Sequence, residues 1–241
     1  MTVEGYALLR RIPELLRVPE DEIVRVARVA KFRSLRRKEV LFVESNQPAG
    51  LYLVESGWLK TFRKSCAGRE VLLDVLGPVE AVGPCCGPAS NCTFGCSAQA
   101  LTAARVLVVN GADWRAISAD CPSACAALTD MLFRSRRRCV DLAVELALHD
   151  IDSRLASLLL KLAGYRGETD SSIRRVVQVL SQQDMASAIG TAREVVTRHV
   201  ARLVDRGVLG RSGRRIVVNQ PAVLQSIALG QQADVSAACP A

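Results

Sequence analysis

The sequence predicts an α+β protein in which an antiparallel β-barrel of jelly-roll type is followed by a long helix and a compact helical unit with a β-hairpin. Three observations predict it. Short β-rich runs punctuated by Gly, Pro and Asn fill residues 31–112, a sustained 3.5-residue apolar period follows Pro122, and arginines crowd the region beyond residue 190.

The elements justify this in order. Residues 5–30 carry Leu8, Leu9, Ile12, Leu15, Leu16, Ile23, Val26 and Ala27 at helical spacing, interrupted at Pro13 and Pro19. The β-rich runs are Val40–Val43, Leu51–Val54, Val71–Leu76 and Val106–Val109. From Pro122 to about His149 a single helix is expected. Cys121, Cys125, Leu128, Leu132, Ser135, Cys139, Leu142, Leu146 and His149 alternate in steps of four and three along it. That is the seam of a coiled-coil homodimer. The alternative is a helix burying one stripe against its own barrel, but the strict period and the polar flanks Arg134, Arg136, Arg137, Arg138, Asp141 and Glu145 favour the dimer. Residues 151–166 form a further amphipathic helix, and the polar stretch 167–172 follows. The expected domains are residues 1–120, a dimerisation helix over 121–150, and residues 151–241.

Composition narrows the function classes. Apolar residues make up 49% of 241, yet no window offers the run of about 18 uncharged apolar residues that a membrane span needs. The charged N-terminus lacks the pattern of a signal peptide, so a cytoplasmic protein is expected. A net charge of +8 suits a polyanionic partner, and its placement sharpens this: Arg193, Arg198, Arg202, Arg206, Arg211, Arg214 and Arg215 lie close together.

That basic region has a definite local logic. Ser181 can cap a helix with Asp184 three residues on, a variant of the capping box, and Met185, Ala186 and Ile189 would form its inner face. Gly190 supplies a turn, and Thr191 is expected to cap a second helix with Val195, Val196, Val200 and Leu203 inward and Arg193, Glu194, Thr197 and Arg198 outward. Arginine can bond guanine bidentately and Glu can accept from cytosine, so this is the pattern of a recognition helix. Gly207–Leu209 and Arg214–Val218 flank Ser212-Gly213 in an arginine-rich hairpin suited to phosphate. Together these form a winged helix-turn-helix. Its expected DNA-binding residues are Ser181, Gln182, Thr191, Arg193, Glu194, Thr197, Arg198 and Arg214.

The stretch LSQQDMASAIGTAREVVTRHVARLVDRGVL resembles the C-terminal domain of the CRP/FNR superfamily of transcription regulators. EVLFVESNQPAGLYLVESGWLKTF resembles the superfamily's first barrel strands, and LALHDIDSRLASLLLKLA its hinge after the dimer helix; the likeness covers roughly residues 20–225. It implies a cyclic-nucleotide-binding-like barrel, a homodimer, RNA polymerase as a further partner, and no enzymatic activity. Arg193, Glu194 and Arg198 match the base-contacting positions of the nucleotide-activated branch, which implies a palindromic double-stranded operator with TGTGA-like half-sites.

The sensor region departs from the family pattern. In nucleotide-binding members a Gly-Glu pair and an Arg-Ser pair hold ribose and phosphate, whereas here the Glu position holds Pro84 and Phe94–Ala98 contains no Arg. Cyclic nucleotide is therefore a poor candidate effector. The N-terminal cluster cysteines of the oxygen-sensing branch are absent as well, since the first cysteine is Cys66. In their place stand Cys85, Cys86, Cys92 and Cys96 in a Gly/Pro-rich loop, and the likeness sets Cys139 where nucleotide-binding members touch their ligand.

Clustered cysteines in an unexported chain point to metal or redox chemistry. Four thiolates suit an iron–sulfur cluster, with [4Fe-4S] favoured, although C-C-x5-C-x3-C follows no standard ferredoxin or zinc spacing. The alternatives are a redox switch of thiols, a soft metal or metalloid such as Hg, Cu(I) or As(III), small core residues, or a degenerate sensor on a ligand-independent regulator. Haem has only His149 and His199 as imidazole ligands, and a Cys-thiolate haem stays open. A thiol enzyme is disfavoured because residues 82–98 supply no Lys, Arg or His to activate a nucleophile.

Overall fold

The computed structural model describes residues 3–44, 50–83, 94–164, 175–177, 180–213 and 215–230. The chain divides into two compact units, Met1–Asp141 and Leu142–Ala241.

The first unit opens with α1 (Val3–Leu9), a 3-10 turn at Pro13–Leu15, and α2 (Glu20–Val29). The expected breaks at Pro13 and Pro19 are both present, because proline favours the start of a helical turn and disfavours its interior. Eight strands follow among the described residues: β1 (Lys31–Leu35), β2 (Val40–Phe42), β3 (Gly50–Ser56), β4 (Leu59–Lys64), β5 (Glu70–Leu76), β6 (Ala81–Val82), β7 (Ser97–Ala100) and β8 (Ala104–Asn110). They form two antiparallel sheets in the orders β1-β8-β3-β6 and β2-β7-β4-β5.

The inner faces of the two sheets enclose Phe42, Tyr52, Val54, Leu59, Leu76, Phe94 and Val106. Phe94 stacks on Phe42 with ring centroids 3.8 Å apart. The opposite face of the β1-β8-β3-β6 sheet offers Leu51, Leu53, Leu107 and Val109 to the helices, where they meet Leu9, Ile12, Ile23, Trp114 and Leu128. Strand β3 is thus buried on both faces, which explains its unbroken apolar run Leu51–Val54. Strands β1 and β7 escape the apolar pattern for opposite reasons. Most of β1 is exposed, whereas β7 buries the small Ala98 and Ala100 between β2 and β4.

Asn110 ends β8 and caps α3 (Gly111–Asp120), accepting from the backbone N–H of Ala112 at 3.0 Å and Asp113 at 2.9 Å. Next comes α4 (Pro122–Leu148), close to the expected span. Its first turn is satisfied from outside, since Glu22 of α2 accepts from the N–H of Ala124 at 2.8 Å. Farther along, Arg138 donates from Nε to Oδ2 of Asp74 at 2.6 Å, and its Nη1 lies 3.5 Å from Glu80. Asp74 is only 2% exposed.

The expected seam along α4 needs correction. Cys121 and Leu128 are buried in the first unit's own core beside Ala124 and Met131, and Cys125 and Leu132 pack against it. The first half of that stripe therefore docks α4 on its own barrel, because the barrel's outer sheet face must be covered. The large apolar side chains that α4 leaves exposed lie about one residue farther round: Phe133, Val140, Val144 and Leu148, of which Phe133 is 61% and Val140 63% exposed.

The second unit contains α5 (Ile151–Leu162), β9 (Arg175–Val177), α6 (Gln182–Ile189), α7 (Arg193–Asp205), β10 (Leu209–Ser212), β11 (Arg215–Val218) and α8 (Pro221–Ala228). The strands form one antiparallel sheet in the order β10-β11-β9. No helix among the described residues is long and apolar enough to cross a membrane.

Candidate nucleic-acid interface

Helix α6 begins with the reciprocal cap its sequence suggests. Oγ of Ser181 accepts from the N–H of Asp184 at 3.1 Å, and the Asp184 carboxylate accepts from the Ser181 backbone N–H at 3.3 Å. Gly190 ends the helix at φ 66°, ψ 42°, a left-handed conformation that costs glycine little. A Cβ there would stand 2.8 Å from Cδ2 of Leu146, so the turn also needs the missing side chain.

The cap of α7 differs from expectation. Ala192, not Thr191, occupies the N-cap, and no side chain caps the helix. Thr191 instead closes the preceding turn, its N–H donating to the carbonyl of Ala186 at 3.0 Å. Val195 donates to the Ala192 carbonyl at 3.1 Å, and without a side-chain cap the N–H groups of Arg193 and Glu194 ahead of it can meet an anion.

Val196, Val200 and Leu203 of α7 are buried beside Met185, Ala186 and Ile189 of α6. Arg193, Glu194, Thr197 and Arg198 are exposed on its first two turns, and Ser181 is exposed at the start of α6. The Thr197 hydroxyl lies 2.9 Å from both Oε1 of Gln182 and the Arg193 carbonyl, which ties the N-terminal ends of the two helices together. A cleft of 650 Å³ runs past Ser181, Gln182, Arg193, Arg211, Gly213 and Arg215. Arg211 and Arg215 come from the hairpin; the sequence placed Arg215 in that phosphate-facing hairpin and Arg211 in the basic run, without singling out either as a DNA-binding residue. Arg214, at the expected wing position, lies outside the described residues. The arrangement can present one protruding helix N-terminus to base edges and a cationic hairpin to phosphate.

Of the expected sensor thiols, Cys85, Cys86 and Cys92 lie outside the described residues. Cys96 is half-buried against the inter-sheet core, and Cys139 is half-buried on α4. Among the described residues, no group of three or more His, Cys, Asp or Glu side chains converges as a metal site. Residues flanking the undescribed segment are nevertheless anchored. Gly83 packs so closely that a Cβ would stand 3.2 Å from Leu132 of α4, while Phe94 is buried in the stack on Phe42. Cys139 follows Leu132 by two helical turns, roughly 10 Å along the axis. Burial pushes the Cys121 thiol above its ordinary value, so it stays a protonated core residue at neutral pH. Cys66, at the β4–β5 turn, is exposed.

Comparison with known proteins fits both units. Residues 32–121 match the cyclic nucleotide-binding domain family, and residues 153–227 match the Crp-like helix-turn-helix domain family. The chain is 29% identical to the CRP-like cAMP-activated global transcriptional regulator of Mycobacterium tuberculosis, over 76% of this chain and 81% of that protein. It is 26% identical to the transcriptional activator protein Anr of Pseudomonas aeruginosa, over 88% and 84%. Among solved structures, FixK2 from Bradyrhizobium japonicum superposes with a TM-score of 0.69 at 24% identity, covering 83% of this chain and 97% of FixK2.

Proposed function

Because this chain belongs to the CRP/FNR superfamily of DNA-binding transcription regulators, we propose that it reads a palindromic operator as a homodimer and answers to its cysteine-bearing sensor region. One observation supports the reading most directly: Arg193, Glu194 and Arg198 stand exposed on the first two turns of a helix held by a capped α6 and a left-handed Gly190. In this reading, Arg193, Glu194 and Arg198 contact bases. Ser181, Gln182, Thr191 and Thr197 position the sugar–phosphate backbone, and Arg214 on the hairpin contacts phosphate. RNA polymerase is the expected further partner. The exposed stripe Phe133, Val140, Val144 and Leu148 supplies an apolar surface for the partner copy.

The test is binding of a duplex with two inverted TGTGA half-sites, centred about one helical turn apart, against a scrambled duplex of equal length. Arg193→Ala or Arg198→Ala is expected to cost about 1–3 kcal/mol on the palindrome and far less on the scrambled duplex. Equal affinity of the unaltered protein for both duplexes would remove the assigned base-reading role.

For the sensor, the donor set supports an iron–sulfur cluster held by Cys85, Cys86, Cys92 and Cys96, with Cys139 as a further expected contact; four thiolates are the usual complement. Bound there, the cluster would supply reactivity toward oxygen, NO or redox change. Relatives named anaerobic regulatory protein and nitrogen fixation regulation protein FixK are compatible with such a signal, while others are named as cAMP-activated; what disfavours a nucleotide is Pro84 at the ribose position and the absence of Arg in 94–98. The missing ferredoxin spacing keeps a thiol switch or soft-metal site as the second reading. Protein purified without oxygen should show a broad band near 400 nm with matched iron and sulfide, lost in the Cys85→Ser, Cys92→Ser double variant. Colourless, metal-free protein whose thiol count falls on mild oxidation would favour the switch.

A further inference from the structure

The recognition helix is held by more than its apolar core. Asp152, in the first turn of α5, places Oδ1 2.5 Å from Nδ1 of His199. A carboxylate only accepts, so Nδ1 carries the proton and donates. Nη2 of Arg202 sits against the edge of the same ring, 3.0 Å from Nδ1 and 3.3 Å from Nε2. Nη1 of Arg202 also reaches Oδ2 of Asp152 at 3.6 Å. The His199 side chain is only 11% exposed, between these two charged groups.

The placement of these residues on α7 matters. His199 and Arg202 are three apart and share a flank. That flank is neither the buried one of Val196, Val200 and Leu203 nor the exposed one of Arg193, Glu194, Thr197 and Arg198. An apolar contact resists separation strongly but resists roll and axial slide weakly, since it is non-directional. Bidentate reading of a base edge tolerates neither movement. One carboxylate gripping two groups one turn apart restrains both.

The same turn of α5 holds the other helix of the pair. Arg154 donates from Nη1 to the Ile189 carbonyl at 2.6 Å, at the end of α6, and Asp150 caps α5 by accepting from the N–H of Ser153 at 2.8 Å.

We propose that Asp152, His199 and Arg202 form a positioning clamp that sets the roll of α7 against α5 and thereby sequence discrimination, while leaving general DNA affinity alone. The inference rests on the base-reading function proposed above. It makes a prediction that simple electrostatics reverses. Removing the Asp152 carboxylate deletes a negative charge from a DNA-binding unit, which by charge alone raises affinity for every duplex.

The test starts by enriching a preferred duplex from a random-sequence pool with the full-length, anaerobically purified protein. Its affinity and that of a scrambled duplex are then measured at one salt concentration for the unaltered protein, Asp152→Ala, His199→Leu and His199→Gln, each checked by thermal unfolding. The expected result is a fall of about tenfold in the preferred-to-scrambled ratio for Asp152→Ala and His199→Leu, with scrambled affinity unchanged or higher. His199→Gln, whose amide can still donate to Asp152, should recover part of the ratio. The isosteric Asp152→Asn replaces Asp152→Ala if the latter is unfolded at the assay temperature. An unchanged ratio in folded variants, or an equal fall on both duplexes, overturns the clamp. An unaltered protein that enriches no sequence removes the base-reading function itself, a separate failure seen before any variant is tested.

Discussion

At Asp150 one carboxylate closes the N-terminus of α5, and the backbone hydrogen bond from Ser153 holds it below the ordinary aspartate value of 3.8. A depressed carboxyl stabilises the fold above the value it has when unfolded and loses that contribution as pH falls through its folded value. Asp150→Ala should therefore destabilise the second unit by about 1 kcal/mol at neutral pH, and the difference from the unaltered protein should begin to shrink as pH falls past 3.8 and vanish only below the lower folded value. Asp150→Asn, itself a good cap, should keep most of the stability, as denaturant melts at several pH values would show. Gly190 offers a second check. Gly190→Ala forces a side chain into a left-handed conformation, at about 1–2 kcal/mol, and also against Leu146. Adding Leu146→Ala should relieve only the steric share, so a double-mutant cycle on thermal unfolding separates strain from clash.

Helix α4 shows how one apolar period can conceal two faces. Its sequence carries a regular stripe, but helical spacing alone does not say which neighbour covers it. The barrel covers Cys121, Leu128 and the side chains beside them, while Phe133, Val140, Val144 and Leu148 remain exposed. Phe133→Glu with Val140→Glu should thus leave the barrel folded yet abolish self-association in sedimentation, and should weaken palindrome binding with it. Persistence of the dimer would show that another surface joins the copies. Leu128→Ala, by contrast, should cost about 2–5 kcal/mol of stability, because it opens a cavity in a core with no solvent access. Strands β1 and β7 were illegible for a related reason. An exposed strand and a strand of small buried residues both lack the alternation that marks a half-buried one. Helix α3 was not read from the sequence because its ten-residue span carries little amphipathic pattern; its Asn110 cap emerged in the structure.

For the molecule as a whole, the charge of +8 and the arginine-lined cleft of the second unit imply binding dominated by phosphate at low salt. The logarithm of affinity for any duplex should fall linearly with the logarithm of salt. Arg211→Ala or Arg215→Ala should lower the slope by about one unit each while leaving sequence preference intact. A slope that stays unchanged would separate the hairpin arginines from phosphate.

The order of barrel, long helix and basic helical unit, the helix-turn-helix with its Ser181–Asp184 cap and Gly190 turn, and the outward set Arg193, Glu194, Thr197 and Arg198 were legible in the sequence alone. Each rests on local rules: capping, left-handed glycine and helical period act within a few residues. Tertiary structure decided which face of α4 is covered and that His199 and Arg202 meet Asp152. Those outcomes join residues distant in the chain, and their selection depends on which surfaces packing buries together, which no local spacing encodes.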